Sequence, residues 1–150
     1  MIYLLENYII NIIKENETIK KELHIFDFDM TLYDPHKKMW LENVVEEARR
    51  QMQKNNSITA LCTARTKEKS IIFNTIKLLE DKELKFDYYS FKPANIKMSA
   101  PFYKYKSVNN IIKNIEDLYL LSFWDDRQDN LDAVSISAKE NNINYIYNKT

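Results

Sequence analysis

The apolar positions along this chain alternate between two rhythms. Leu5, Tyr8, Ile9, Ile12 and Ile13 recur at i, i+3, i+4, i+7 and i+8, one helical stripe that predicts a helix over residues 1–21. Leu23–Phe26 is a short apolar run that stops at acidic residues and reads as a buried strand. Asp34-Pro35 signals a turn. Trp40, Val44, Val45, Ala48 and Met52 share one side of a predicted helix over Met39–Gln53, and Asn55-Asn56-Ser57 ends it. Ile58–Cys62 reads as the second strand, Thr66–Glu80 as a helix carrying Ile72, Ile76 and Leu79, and Phe86–Phe91 as the third strand. A loop is expected over Ala94–Tyr103, then a helical stripe of Val108, Ile111, Ile112 and Ile115. Leu118–Trp124 is the fourth strand, Arg127–Glu140 a helix, and Ile143–Tyr147 the last strand.

Strands alternating with helices predict an α/β fold, a mostly parallel five-stranded sheet with helices on both faces. The 150 residues suit one domain with one core, with the helix over 1–21 packed on it. A stripe at this spacing is usually core, so contact with a partner protein is the second reading of that helix.

Composition removes several function classes. The 22 basic and 22 acidic residues cancel, so bulk charge announces neither nucleic acid nor membrane. The lone Cys62 gives no disulfide framework and fits a reducing compartment. No apolar run reaches membrane-span length, and Glu6 with no basic lead argues against a signal peptide. A cytoplasmic protein is expected. The chain has 0 glycines, so any backbone position at φ > 0 must be occupied by a bulkier residue.

The chemistry concentrates at strand ends. Asp27 and Asp29 follow the first strand, and alternation is expected to aim them the same way, toward the crevice at the C-terminal edge of a parallel sheet. Two carboxylates there repel each other unless a cation or a group-transfer role keeps them. One can serve as nucleophile and the other can shuttle a proton, with a divalent metal neutralising charge. Thr63 ends the second strand with a hydroxyl able to donate to a phosphate oxygen, and Arg65 can grip an anion bidentately. Lys104 and Lys106 are alternative sources of a fixed ammonium. Lys104 is preferred because it stands four before Val108 and seven before Ile111, at the mouth of the helix. Asp125 and Asp126 follow the fourth strand; adjacent acids there are hard to explain as packing and suit Mg²⁺. Two aspartates two apart are common at turns, so the order of all four stretches carries the argument, not the first alone.

Asp27-Phe28-Asp29-Met30-Thr31 resembles motif I of the haloacid-dehalogenase (HAD) superfamily, Asp-x-Asp-x-Thr after an apolar strand. The resemblance implies a three-layer, Rossmann-like fold and a phosphatase. It implies Asp27 as nucleophile, Asp29 as general acid and base, Thr63 as phosphate contact and Lys104 as the third-motif lysine. Thr31, Arg65, Lys106 and Arg127 become candidate substrate contacts, and Asp27, Asp29, Asp125 and Asp126 candidate ligands for Mg²⁺. After Glu22 the runs DFDMTLYDP, LCTAR, FDYYSFKP, YKYKSVNNII and FWDDRQDN resemble the Swiss-army-knife RNA-repair-like HAD group. Met30 and Ala64 replace glycines of that pattern, Asp125 a glutamate and Asn130 a histidine.

HAD substrates are often selected by inserted caps. About thirty residues separate the first two motifs, which one turn, a small flap and one helix use up, and the interval to the third motif is as full. Without a large cap the site is open and favours macromolecular phosphoesters. Tyr88–Lys113 carries Lys92, Lys97, Lys104, Lys106 and Lys113, no acid, and interleaved aromatics, a pattern that suits RNA or DNA ends. The alternatives are a phosphoprotein or small-molecule phosphatase, a non-catalytic HAD-like binding module, and a structural subunit using the N-terminal helix.

Overall fold

The computed structural model describes residues 19–150. The helix expected over 1–21 therefore lies outside the described residues except at its end, where Lys21 already belongs to the first strand. The elements run β1 (Lys21–Phe26), β2 (Tyr33–Asp34), β3 (Met39–Trp40), α1 (Glu42–Met52), β4 (Ser57–Thr66), α2 (Lys69–Asp81), β5 (Tyr88–Lys92), α3 (Ala100–Ile112), β6 (Leu118–Asp125), α4 (Gln128–Glu140) and β7 (Asn144–Lys149). The five-stranded sheet is ordered β5-β4-β1-β6-β7, and every pairing in it is parallel. The order reverses at β1, the topological switch point where parallel sheets open a crevice at their C-terminal edge.

Alternation along the central strands sets the layers. Leu23 and Ile25 of β1, Ala60 and Cys62 of β4, and Leu121 and Phe123 of β6 pack with Val108 of α3 and Val134 of α4. Phe26 and Leu61 point to the other face, against Val45 and Ala48 of α1 and Leu79 of α2. At roughly 1.5–3 kcal/mol for each fully buried large apolar side chain, these two half-cores are the main source of stability.

Two expectations change. Trp40 does not sit on a helix: Met39–Trp40 pairs antiparallel with Tyr33–Asp34 as a small flap, and α1 begins at Glu42. The flap is held by aromatic contacts, Trp40 edge-on to Tyr33 at 5.1 Å and to Phe28 at 6.1 Å, which override the helical spacing. The expected loop Ala94–Tyr103 ends early, because Ser99 caps α3 by accepting the Phe102 N–H and Pro101 sits in its first turn. No folded cap interrupts the described residues. None of their helices is long and apolar enough to cross a membrane.

Without glycine, five of the described residues take left-handed backbone: Met30, Lys38, Glu83, Asp117 and Asn142. Glu83 and Asn142 follow the ends of α2 and α4, where the amides of Leu84 and Ile143 reach back to the carbonyls of Leu79 and Ala138. These are Schellman ends made without glycine.

Candidate active site

The same alternation that sends Leu23 and Ile25 toward α3 carries Asp27 to that side, one step past the end of β1. In β6, Leu121 and Phe123 put Asp125 in phase with it. From the opposite layer, the stripe of Lys104, Val108 and Ile111 turns inward, so Lys104 enters between the two acids. Its ammonium is fully buried. It donates to Asp27 Oδ1 at 2.7 Å, lies 3.4 Å from Asp125 Oδ2, and also donates to the Cys62 carbonyl. Lys104 is thus in the second turn of α3, deeper than the helix mouth expected.

Asp27, Asp125 and Asp126 each bring a carboxylate oxygen to within 4.8 Å of the others. Burial drives the Asp27 carboxyl up to about 6; the Lys104 ammonium pulls it down and Asp125 pushes it back up. Asp126 is also raised, by burial and then by Asp125. Burial works against the Lys104 charge, but Asp27, Cys62 and Asp125 more than offset it and hold the ammonium protonated. The pocket thus concentrates more negative charge than one lysine balances, and hard oxygen donors at this spacing fit a divalent cation such as Mg²⁺. The donor set passes that test through Asp27, Asp125 and Asp126.

Asp29 departs from the expected set. β1 ends at Phe26, so strand alternation does not extend to it, and it is not in the acidic cluster. Arg65 holds it in a forked pair at 2.9 and 2.7 Å, donates to Thr75 at 3.0 Å, and lies 4.4 Å over the Phe28 ring. Register with β5 shifts between Thr63 and Thr66, and Arg65 lies within that irregular stretch of β4. Thr63 is buried on β4, its hydroxyl accepting the Arg65 N–H at 3.2 Å.

Three candidates lie elsewhere. Thr31 is fully buried and its hydroxyl meets Thr150 at 3.3 Å, not the carboxylates. Arg127 is exposed and pairs with Asp129 at 2.5 Å, and only its backbone N–H reaches Asp125, at 2.9 Å. Lys106 points away from the acids, 5.4 Å from the Phe102 ring. One residue gains importance. Asn130 stands where a histidine was expected, is buried, and donates from Nδ2 to both Asp125 oxygens at 3.1 Å. An amide five residues beyond an acid is too common a pattern to be singled out from sequence.

A family model described as "HAD domain family 1 in Swiss Army Knife RNA repair proteins" matches residues 9–146. No curated protein sequence matches. Among solved structures, the chain is similar to one in the Pnkp1/Rnl/Hen1 RNA repair complex, with TM-score 0.63, 16% identity, and 87% of this chain and 43% of that chain covered. A second structure of that complex gives TM-score 0.60 and 16% identity over 87% of this chain and 47% of the other. The HAD domain of the effector protein Lem4 from Legionella pneumophila gives TM-score 0.59 and 12% identity over 88% and 87%. The chain thus spans less than half the length of the repair-complex chains it resembles, and at these identities the likeness is one of fold.

Proposed function

The chain belongs to HAD domain family 1 of the Swiss Army Knife RNA repair proteins, and from that membership we propose that it is a Mg²⁺-dependent phosphomonoester hydrolase acting through an aspartyl-phosphate on polynucleotide ends. The observation that carries the reading is the buried Lys104 ammonium, 2.7 Å from Asp27 and 3.4 Å from Asp125. A structural lysine would not need two carboxylates and a third beside them at the crevice of a parallel sheet.

In this mechanism an Asp27 oxygen attacks phosphorus. The bond from phosphorus to the substrate's ester oxygen breaks, and Asp29 gives that oxygen its proton. Asp29 then takes a proton from a water that attacks the phosphorus, which frees inorganic phosphate and restores Asp27. Lys104 offsets negative charge on Asp27 and on the phosphoryl oxygens, in a dry site where that is worth most. Thr63 donates to a phosphoryl oxygen. Mg²⁺ held by Asp27, Asp125 and Asp126 would supply further charge neutralisation. Asn130 and the Arg127 N–H fix Asp125 for that purpose.

The macromolecular substrate is supported by the lack of a folded cap among the described residues and by the lysine-rich stretch after β5, where Lys97, Lys106 and Lys113 are exposed. Tyr103 leaves the set of stacking aromatics, because it is buried and its hydroxyl is 2.5 Å from that of Ser90. The test is hydrolysis of a generic aryl phosphate with Mg²⁺ and with EDTA, then a panel of 3′- and 5′-phosphorylated oligonucleotides, phosphopeptides and nucleotides. Chelator-sensitive turnover with an oligonucleotide preferred is expected. Absent turnover overturns the enzyme, and preference for phosphopeptides or nucleotides overturns the substrate.

A further inference from the structure

Between the edge strand β5 and helix α3 runs a groove of about 460 Å³ that the chemistry above does not use. Its size lies in the roughly 300–1,000 Å³ range of ligand sites. Tyr88 and Met98 give it apolar walls, Asn110 and Asn114 bring amides, and Lys67 and Lys106 bring cations. Among the described residues, no acidic side chain lines it. Both charged side chains that line it, Lys67 and Lys106, are cations, which favours an anionic occupant. Flat apolar walls suit a ring, amides can pair with the edge of a base, and cations suit phosphates on either side.

The groove is also tied to the reaction centre through one helix. Tyr103, Lys106, Ser107 and Asn110 of α3 line it, while Lys104 of the same helix reaches Asp27. Lys67 stands at the C-terminal edge of the sheet, its N–H bonded to the Lys92 carbonyl at 2.7 Å, so the groove opens on the same edge as the carboxylates. The floor is rigid: the hydroxyls of Tyr103 and Ser107 both lie 2.5 Å from that of Ser90, and Cys62 Sγ lies 3.4 Å from Ser107.

We propose that the groove between β5 and α3 is a nucleotide-binding subsite, which seats a base of a single-stranded polynucleotide whose phosphorylated end lies at Asp27. This rests on the polynucleotide reading of the active site and adds where the strand runs.

The experiment separates the two. Binding of a short single-stranded RNA with hydroxyl ends is followed by fluorescence anisotropy in EDTA, across a salt series, for the wild-type chain and two variants at exposed positions. Lys67→Glu removes a cation; Asn110→Trp fills the groove without changing charge. Each should raise Kd about tenfold, and Lys67→Glu should make the salt dependence shallower by about one phosphate contact. Aryl phosphate hydrolysis should stay within about twofold of wild type in both. Unchanged Kd in Asn110→Trp overturns the subsite while leaving the phosphatase intact. So does competition by a polyanion without bases, such as polyphosphate, at equal affinity per charge, because the groove would then read charge alone. Tighter binding of an acidic phosphopeptide than of the RNA also overturns it. Loss of aryl phosphatase in the wild-type chain, with RNA binding still sensitive to Asn110→Trp, would sink the reaction and keep the groove.

Discussion

Arg65 grips Asp29 through two hydrogen bonds, from Nε to Oδ2 at 2.9 Å and from Nη2 to Oδ1 at 2.7 Å. The pair keeps the Asp29 carboxylate out of the acidic cluster and fixes its orientation; in the proposed reaction Asp29 is the group that transfers the proton. Lysine keeps the charge but cannot form the fork. Arg65→Lys should lower kcat on an aryl phosphate about 10–100-fold, the usual range when a proton donor is misplaced. KM should move less, and the melting temperature by only a few degrees. Steady-state kinetics on both proteins check this; a KM effect alone would make Arg65 a substrate clamp instead.

Lys104 is the other test of the charge arrangement. Lys104→Met leaves Asp27 and Asp125 buried without their cation, which should cost about 3–5 kcal/mol at pH 7.5 without added metal. Asp27 already sits high, at about 6, so losing the ammonium raises it further. A carboxyl raised on folding destabilises only while it is ionised in the unfolded chain. The variant's deficit should therefore shrink as pH falls from 7.5 toward 6, where Asp27 is protonated in both folded proteins, and change little on Asp27's account below that. Urea melts of both proteins at three pH values measure it.

Glu22 shows the opposite sign. It accepts hydrogen bonds from His24 at 2.9 Å, Lys54 at 3.0 Å and Tyr119 at 2.7 Å. Burial would raise its carboxyl, but these donors hold it at about 2, from an ordinary 4.5. A depressed acid contributes stability that is full above its unfolded value and is lost as pH falls through the folded one. Glu22→Gln should be less stable by roughly 2 kcal/mol at pH 7, and the gap should close between pH 4.5 and 2. Thermal melts across that window check the closure.

Met30 holds φ 60° beside the flap. A side chain there costs roughly 1–2 kcal/mol against glycine, partly offset by the freedom glycine adds to the unfolded chain. Met30→Gly should raise stability by about 0.5–1 kcal/mol, read as a higher urea midpoint at unchanged slope.

Much of this was legible because alternation and stripes fix faces. Asp27 following the apolar run of the first strand marks the C-terminal edge of the sheet, and the spacing from Lys104 to Val108 and Ile111 singles out Lys104, although at the helix mouth and not buried within the fold as found. What the sequence hid was set by contacts across the fold. The Asp29 carboxylate is held outside the acidic cluster by a pairing with Arg65, which comes from far along the chain. Trp40 left its helix for aromatic partners in the flap. Tyr103 has the composition of a stacking residue, but its helix face buries it. Asn130 reaches Asp125 because α4 begins at Gln128, one short turn beyond the end of β6.

In the proposed reaction Asp27 attacks the phosphoryl group. The most direct measurement is turnover of a phosphorylated oligonucleotide with Mg²⁺ by Asp27→Asn, alongside its melting curve. Asparagine keeps the shape and can still accept from Lys104, so the fold should persist while kcat falls by at least about a thousandfold. A folded Asp27→Asn with wild-type turnover would contradict the account.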